Sequence, residues 1–288
     1  MRPVVLKLGG ELVEAQSDRA RLAKAAAAVA SSRPLVIVHG GGRAVDAAMA
    51  RQGLVPTKID GLRATDAAAL DVVVSVLAGL TNTQLVAALL GQGVRAVGLT
   101  GADAGLGRAE RSSAYQTADR TFVDLGFVGD PREPDATLLE LLLAHGYVPV
   151  VASLGVDLDE VSAEPQVLNV NADVMACRLA AALTAELVIA GTTAGVLDTD
   201  GRTIDQIDLD DVDGIIADGT ASAGMIAKLL ACRTALESGA ACVRIIDGRT
   251  LDQKSEIDRR SGTTIVRTRQ IPPQGVTAAG VASQDRQL

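Results

Sequence analysis

The sequence contains very few of the residues from which a protein builds a metal or redox centre. It has two histidines, His39 and His145, and three cysteines in 288 residues, with no CxxC pair. Two histidines are too few for a histidine-based zinc site, and no cysteine or carboxylate is spaced to complete one. We therefore expect no metal site built from protein ligands. Cys177, Cys232 and Cys242 lie in apolar segments, which fits reduced core thiols.

Clustered positive charge and long apolar runs are also missing. The net charge is −8 and the basic residues are scattered, so the chain lacks the electrostatic footprint of a nucleic-acid-binding protein. The first ten residues, MRPVVLKLGG, have the pattern of a short strand and not of a signal sequence, and no apolar run approaches the length of a membrane span. We expect a cytoplasmic protein that acts on a small molecule, with neither nucleic acid nor membrane as a partner.

What is present is the alternation typical of an α/β fold. Hydrophobic residues make up 48% of the chain, enough for one large domain or two lobes. Short β-branched runs alternate with Ala-rich segments of helical period, which predicts a mainly parallel sheet covered by helices on both faces. The candidate strands are Val4–Leu8, Leu35–His39, Ala96–Thr100, Val148–Ser153, Leu187–Ala190 and Val243–Asp247.

Single polar and glycine residues predict where several helices begin and end. Ser17 and Thr65 are of the residue types that cap helix N-termini. Gly53, Gly146 and Gly239 are expected to end helices, since glycine tolerates the left-handed conformation found there.

Three stretches depart from the α/β alternation. Between Ser112 and Gly129 the segment TFVDLGFVG predicts an antiparallel hairpin. A polar loop at residues 169–176 is a plausible boundary between two lobes. Residues 270–288 have no periodicity and few large apolar side chains, so we expect a disordered tail without a catalytic role.

The stretch VIVHGGGRAVD, residues 36–46, runs from a strand through three glycines into a predicted helix. It is not a dinucleotide fingerprint, because the third glycine of G-x-G-x-x-G is missing. It is not an esterase loop either, because the chain contains no G-x-S-x-G nucleophile elbow. The remaining interpretation is close approach of the backbone to an anion at a helix start.

Four further motifs carry candidate functional residues. Lys7 ends a predicted buried strand and is followed after one residue by Gly9 and Gly10, which together suit phosphate oxygens. In GLRATD, Arg63 offers a planar fork for a carboxylate, although an exposed arginine is the simpler interpretation. The remaining candidate residues lie in the motifs LNVNAD and GMIAK. LNVNAD fits helix capping equally well, and GMIAK is a weak signal when taken alone.

Taken in order, ten motifs resemble those of the amino acid kinase family over about residues 3–267. They are KLGG, HGGG, GLRATD, AGLTN, AVGLTGAD, DLGFVG, GYVPVVASLGV, LNVNAD, AGVLD and GMIAK. Within the family they are most similar to the kinases that phosphorylate the side-chain carboxylate of N-acetyl-L-glutamate in arginine biosynthesis. The resemblance implies a three-layer αβα sandwich. It also implies an N-terminal lobe, residues 1–175, for the acylated amino acid and dimerisation, and a C-terminal lobe, residues 176–269, for ATP and Mg²⁺.

The resemblance also implies a role for each matched position. Lys7 and Lys228 correspond to the two lysines that stabilise the transition state, and Asp173 to the aspartate that organises them. Gly9 and Gly10 correspond to glycines next to the transferring phosphate. The positions that hold the acylated amino acid are Gly41, Gly42, Arg63 and Asn169.

Two departures and three alternatives accompany this assignment. Thr192 stands where family members often have an acid, which puts the nucleotide contacts in doubt. The chain starts on its first strand, so we expect an arginine-insensitive homodimer without the extra helix of arginine-inhibited hexamers. The alternatives are a sister kinase for N-succinylglutamate or carrier-linked aminoadipate, a non-catalytic amino-acid sensor on the same fold, and a dehydrogenase, which the imperfect fingerprint disfavours.

Overall fold

The computed structural model describes residues 1–112, 114–117, 120–158, 165–219, 221, 223–251 and 262–267. The predicted disordered tail, residues 270–288, lies outside these ranges. The strands are β1 (Val4–Leu8), β2 (Leu35–His39), β3 (Lys58–Ile59), β4 (Leu62–Arg63), β5 (Ala96–Thr100), β6 (Ala109–Arg111), β7 (Tyr115–Gln116), β8 (Phe122–Val123), β9 (Val128–Pro131), β10 (Val148–Ala152), β11 (Leu154–Asp157), β12 (Gln166–Val170), β13 (Glu186–Gly191), β14 (Gln206–Asp208), β15 (Cys242–Asp247) and β16 (Thr263–Val266). The helices are α1 (Gln16–Ala30), α2 (Gly42–Arg51), α3 (Ala67–Val74), α4 (Asn82–Leu90), α5 (Thr137–Ala144), α6 (Ala172–Ala182), α7 (Val212–Ala217) and α8 (Ala223–Glu237).

An eight-stranded sheet forms the centre of the molecule, in the order β14-β16-β15-β13-β1-β2-β10-β5. Neighbouring strands are parallel except for the pair β15 and β16. All six strands predicted from the sequence lie in this sheet, with ends that differ by at most one residue. Every residue of β1, β2 and β10 is buried, as expected for parallel strands with helices on both sides.

Successive residues of the central strands contribute to two different hydrophobic clusters. Val4 and Leu6 pack in one cluster with apolar residues of α1 and α4. Val5 packs in the other, with residues of α6 and α8. Because side chains alternate between the faces of a strand, the two clusters lie on opposite faces of the sheet. The predicted three-layer αβα sandwich is therefore confirmed.

The smaller sheets stand apart from the central one. β11, β12, β9 and β6 form a four-stranded sheet, and β3 pairs with β4. The hairpin predicted between Ser112 and Gly129 is present as β7 and β8, which pair antiparallel in a sheet of their own. The predicted excursion from the parallel units is confirmed.

The predicted N-caps are wrong and the predicted C-terminal stops are right. Ser17 lies inside α1, which begins at Gln16 without a side-chain cap. Thr65 donates its hydroxyl to the carbonyl of Arg63, 2.8 Å away, while the carboxylate of Asp66 caps α3. Local sequence cannot choose between two adjacent capping residues, because tertiary contacts decide which one faces the helix. The predicted stops, Gly53, Gly146 and Gly239, follow α2, α5 and α8 with positive φ.

α3 and α4 are joined by a π-helix, Ser75–Thr81, into one continuous helix, Ala67–Leu90. This helix is long and apolar enough to cross a membrane, so the expectation that no segment approaches that length is wrong. A single such helix is weak evidence for a membrane span, since the core helix of a globular protein passes the same test. Here α4 packs on β5 and β10, which is the behaviour of a core helix.

Candidate active site

A cavity of about 380 Å³ opens beyond the carboxyl ends of β1 and β2. This is the edge at which α/β sheets bind ligands. Seven of the nine site residues predicted from the sequence line it: Lys7, Gly10, Gly41, Gly42, Arg63, Asn169 and Asp173. The fold thus brings most of the predicted site together from four separate parts of the chain.

Lys7 and Asp173 form the charged pair of the cavity. The Lys7 ammonium lies 2.9 Å from a carboxylate oxygen of Asp173, and their side chains are 9% and 20% exposed. Lys7 is held on the wholly buried strand β1 and lines the cavity. The ion pair fixes the direction of both side chains.

Asp173 is positioned by the N-terminus of α6. The preceding Asn171 caps this helix, because its side-chain oxygen accepts hydrogen bonds from the backbone N–H groups of Asp173 and Val174 at 2.8 and 3.2 Å. The first turn of a helix favours a negative charge. The motif LNVNAD is therefore both a cap and a site: Asn171 caps the helix, and it also lines the cavity together with Asn169 and Asp173.

The two glycine loops touch each other in the lining of the cavity. A Cβ atom on Gly10 would lie 2.8 Å from the Cα atom of Gly41, so only glycine permits this approach. Gly9 lies beside the carboxylate of Glu11 and is not among the residues that line the cavity. The KLGG and HGGG motifs, separated by about thirty residues, form one backbone surface.

Arg63 is buried in the lining of the cavity, next to Gly42, and is tightly held. Its guanidinium forms an ion pair with Asp46, donates to the carbonyl of Gly42 at 2.9 Å and contacts the sulfur of Met49 at 3.4 Å. The simpler interpretation from the sequence, an exposed arginine, is wrong, because Arg63 is only 8% exposed. An arginine has five N–H donors, so these contacts still leave it able to bind an anion.

Sequence reasoning missed Asp46 and Lys58. Asp46 lies between two cations: its carboxylate accepts from Lys58 at 2.8 Å and pairs with Arg63. Burial alone would raise the pKa of Asp46, but the hydrogen bonds and positive charges of Lys58 and Arg63 lower it overall. The signal was available in part, since Asp46 ends the quoted stretch VIVHGGGRAVD. Lys58 reaches Arg63 only through the pairing of β3 with β4.

Asn169 is connected to Arg63 through Thr65. The amide nitrogen of Asn169 donates to the hydroxyl of Thr65 at 3.1 Å, and that hydroxyl donates to the carbonyl of Arg63 at 2.8 Å. The side chain of Asn169, on β12, is thereby connected through the Thr65 hydroxyl to the backbone of β4. The same network explains why Thr65 is not available as a helix cap.

Lys228 is not among the residues that line the cavity. It is half-buried on α8, a helix that packs against α6. Cys177 and Cys232, each one turn beyond Asp173 and Lys228, are buried on the same two helices. Burial, and secondarily the charge of Asp173, raise the pKa of the Cys177 thiol to about 12. Neither thiol is a nucleophile at neutral pH.

The chemistry of this cavity is electrostatic. Buried cations and backbone N–H groups can bind an anion and neutralise charge that develops on a transferring group. Among the described residues, no group of three or more histidine, cysteine or acidic residues could hold a metal ion.

Comparison with known proteins agrees with this geometry. A sequence profile of the Amino acid kinase family matches residues 2–247. A protein of Symbiobacterium thermophilum named acetylglutamate kinase is 41% identical over 254 residues, which are 86% of this chain and 85% of that one. A protein of Methanopyrus kandleri with the same name is 42% identical over 82% of this chain and 91% of its own length.

Solved structures share the fold at lower identity. N-acetylglutamate synthase from Neisseria gonorrhoeae, crystallised with coenzyme A and N-acetyl-glutamate, has a TM-score of 0.77 at 24% identity. The match covers 93% of this chain and 60% of that one. Carbamate kinase from Giardia has a TM-score of 0.66 at 13% identity, over 93% of this chain and 99% of its own. At these identities the likeness concerns the fold alone.

Proposed function

Because the chain belongs to the amino acid kinase family, we propose that it transfers the γ-phosphoryl group of MgATP to the side-chain carboxylate of N-acetyl-L-glutamate. The product is N-acetyl-L-glutamyl 5-phosphate, and the reaction is the second step of arginine biosynthesis. Relatives at 41% and 42% identity that carry the name acetylglutamate kinase support this substrate. The single observation that carries the proposal is the Lys7–Asp173 ion pair, which faces both glycine loops and Arg63 across one cavity.

The reaction needs alignment and charge neutralisation but no general base. A glutamate carboxylate, with an ordinary pKa of about 4.3, is already ionised at neutral pH. One of its oxygens attacks the γ-phosphorus. The bond between that phosphorus and the oxygen that bridges the β- and γ-phosphates breaks, and ADP leaves. No proton moves in this step, which fits a cavity lined by two lysines, an arginine and amides, without a catalytic histidine or cysteine among its residues.

We assign acceptor binding to the side of the cavity that carries Arg63. Its guanidinium pairs with the α-carboxylate of the acceptor, which is the geometry that the planar fork favours. Asn169 and the backbone of Gly41 and Gly42 hold the acyl-amino group and the rest of the chain. Asp46 keeps the guanidinium aimed, so the reactive carboxylate faces the opposite side of the cavity.

We assign phosphoryl transfer to the side that carries Lys7. Its ammonium, held by Asp173, neutralises charge on the transferring phosphoryl group, and the backbone of Gly9 and Gly10 approaches the phosphate oxygens. Lys228 reaches the same group from the nucleotide side. α6 and α8 carry Asp173 and Lys228, so the packing of these helices sets the separation of the two charges.

We also assign separate roles to the two lobes. Residues 1–175 bind the acylated amino acid and form the dimer, and residues 176–269 bind MgATP. All of the cavity lining comes from the first range, and Asp173 stands at its end. Both lobes contribute strands to the central sheet, since β13 pairs with β1.

A homodimer is supported by the surface at one end of the sheet. β5 is the last strand in the order, and its residues are only partly buried, unlike those of β1, β2 and β10. The helix Ala67–Leu90 packs beside it and exposes Leu80 and Leu90 by 50% and 56%. An edge strand next to an apolar helix is a surface that a second copy of the chain can cover.

The cytoplasm is the compartment that the cysteines favour. All three cysteines are free, and burial raises the pKa of each thiol. Unpaired buried thiols are typical of a reducing compartment.

A coupled assay of ADP formation tests the proposed reaction. N-acetyl-L-glutamate, N-succinyl-L-glutamate and free L-glutamate are compared as acceptors at fixed MgATP. We expect the highest kcat/KM with the acetylated substrate. A preference for the succinylated or free amino acid contradicts the assigned substrate, and no turnover with any acceptor favours a non-catalytic sensor.

A further inference from the structure

The histidine of the HGGG motif is completely buried beside the cavity and has no part in the proposed reaction. His39 is the last residue of β2 and is 0% exposed. It is followed directly by Gly40, Gly41 and Gly42, the loop that lines the acceptor side of the cavity. Both nitrogens of a buried histidine ring are expected to have hydrogen-bond partners.

The neighbours of the ring determine which nitrogen carries the proton. Nδ1 lies 3.1 Å from the carbonyl oxygen of Gly40, and Nε2 lies 3.1 Å from the amide nitrogen of Asn82. A carbonyl oxygen only accepts, so Nδ1 is the protonated nitrogen. The amide nitrogen only donates, so Nε2 is the acceptor. Burial also lowers the pKa of His39 to about 4, which keeps the ring neutral.

The orientation of the Asn82 amide is fixed independently of the histidine. Its nitrogen lies 2.8 Å from the carbonyl oxygen of Val150, which requires a donor at that position. One amide hydrogen is thus directed at Val150, and the other at Nε2 of His39, which lies closer, at 3.1 Å, than the carbonyl oxygen of Leu99 at 3.5 Å. Asn82 is only 4% exposed, and its amide oxygen lies so close to Gly98 that any side chain there would collide with it.

The bond from Nδ1 acts on the backbone that meets the substrate. The peptide between Gly40 and Gly41 is planar and trans, so its carbonyl and its N–H point in opposite directions. A donor that holds the carbonyl of Gly40 therefore also sets the direction of the N–H of Gly41. The π-helix supports the same loop, because a Cβ atom on Gly41 would lie 2.8 Å from a methyl carbon of Leu77.

We propose that His39 and Asn82 are positioning residues for the acceptor loop. Asn82 selects the Nδ1–H form of His39, and that N–H holds the carbonyl of Gly40 so that the N–H of Gly41 is presented to the acceptor substrate. The identity of the acceptor rests on the proposed function, whereas the hydrogen-bond chain does not.

Two substitutions of His39 separate its hydrogen bond to Gly40 from its hydrogen bond to Asn82. His39→Asn places an amide nitrogen near the position of Nδ1 and keeps a donor for Gly40. His39→Gln places its amide near Nε2 and removes that donor. We expect H39Q to raise the KM for N-acetyl-L-glutamate about tenfold, the effect of one lost hydrogen bond, and to leave the KM for MgATP nearly constant. H39N should recover most of the loss.

The other histidine supplies the matched control. His145 is exposed at the end of α5, far along the chain from the loop, and H145N should leave both KM values at the wild-type level. Equal effects of H39N and H39Q, equal increases in both KM values, or no change in H39Q would each overturn the proposal.

Nitrogen NMR of the imidazole ring tests the hydrogen-bond chain from Asn82 through His39 to Gly40 without any substrate. In H145N protein only His39 contributes ring signals. We expect Nδ1 protonated and Nε2 unprotonated over about pH 6 to 8, the range in which an ordinary histidine titrates. In Asn82→Asp the carboxylate accepts, so the proton should appear on Nε2. If Nε2 of His39 carries the proton in protein that retains Asn82, the proposal is overturned even when the kinase assay succeeds. The expected ring signals do not depend on that assay, so they support the hydrogen-bond chain even when the assay fails.

Discussion

At the scale of single residues, Lys7 is the group on which the account of phosphoryl transfer depends. It combines a buried position on β1 with an ion pair to Asp173, and it lines the same cavity as the acceptor residues. A lysine at such a place is unusual for a structural role, since lysines are almost never fully buried unless they are paired. Its function can be separated from its packing by substitution.

Lys7→Ala should lower kcat by about 10² to 10³-fold, the usual effect of removing one donor that stabilises transition-state charge. KM for N-acetyl-L-glutamate should change much less, because the acceptor is held at the Arg63 side of the cavity. Steady-state kinetics measure both constants. Lys24→Ala, at an exposed position of α1, is the control and should behave as the wild type. An unchanged kcat in K7A would refute the catalytic role of Lys7.

His39 also predicts a pH dependence of stability. Its pKa is lowered from 6.5 to about 4 by burial, so the unfolded chain binds more protons than the folded protein between these values. The stability that the neutral ring contributes is complete above about pH 6.5 and is lost as the pH falls towards 4. Between pH 7 and pH 5 the loss should be about 2 kcal/mol.

Urea unfolding at pH 7 and pH 5 measures this loss. In His39→Asn the position no longer titrates, so the difference between the two pH values should be smaller than in the wild type by that amount. H145N should retain the wild-type difference. Parallel pH dependences of wild type and H39N would show that the burial of His39 does not control stability.

The sequence predicted residue types at the site better than it predicted their partners. Lys7, Arg63, Asn169 and Asp173 were each predicted for the site, and the structure places them around one cavity. Asp46 was not predicted, because its role depends on two cations that reach it from a neighbouring hairpin. A sequence pattern shows which residues are near each other in the chain. Asp46 acts through Lys58 and Arg63, which are distant from it in the chain.

At the scale of secondary-structure elements, the N-terminus of α6 links local folding to the site. Asn171 caps the helix and Asp173 stands in its first turn. Loss of the cap would fray the turn that holds the Asp173 carboxylate beside Lys7. Stability and activity should therefore fall together when the cap is removed.

Asn171→Ala should lower the free energy of unfolding by about 1 kcal/mol, the typical value of an N-cap, and should also lower kcat. Asn171→Ser retains a capping oxygen and should retain most of both properties. Urea unfolding and steady-state kinetics provide the two measurements. A full loss of activity in N171S with wild-type stability would contradict a capping role and indicate direct contact with a substrate.

Helix ends show what an element's own sequence can and cannot specify. The stops at Gly53, Gly146 and Gly239 were predicted correctly because a positive φ is a property of the residue itself. The starts at Ser17 and Thr65 were wrong because capping depends on which side chain is engaged elsewhere. Thr65 is engaged with Arg63 and Asn169, two partners that only the folded chain brings to it.

At the scale of the whole molecule, the sheet was the most predictable feature. Six of its strands were found from buried β-branched runs, since a strand covered on both faces is apolar along its whole length. β14 and β16 were missed. They are short strands at one side of the sheet, and their partly exposed residues carry no such signal.

The unpaired end of the sheet at β5 predicts the assembly. Light scattering should give about twice the 29.5 kDa mass of one chain. Leu80→Glu introduces a charge on the exposed side of the helix next to β5 and should shift the protein towards a monomer. Leu141→Glu, at another exposed leucine on α5, should leave the dimer intact. A wild-type monomer, or a dimer unaffected by L80E, would contradict this interface.

The most direct test of the central claim follows one oxygen atom through the reaction. N-acetyl-L-glutamate labelled with ¹⁸O in its side-chain carboxylate is incubated with MgATP and enzyme, and the product is trapped with hydroxylamine, which releases phosphate. If the acceptor carboxylate attacks the γ-phosphorus, the released phosphate carries one ¹⁸O atom in the mass spectrum, and K7A yields almost none. Phosphate without the label would show that water accepts the phosphoryl group, and would contradict the assigned reaction.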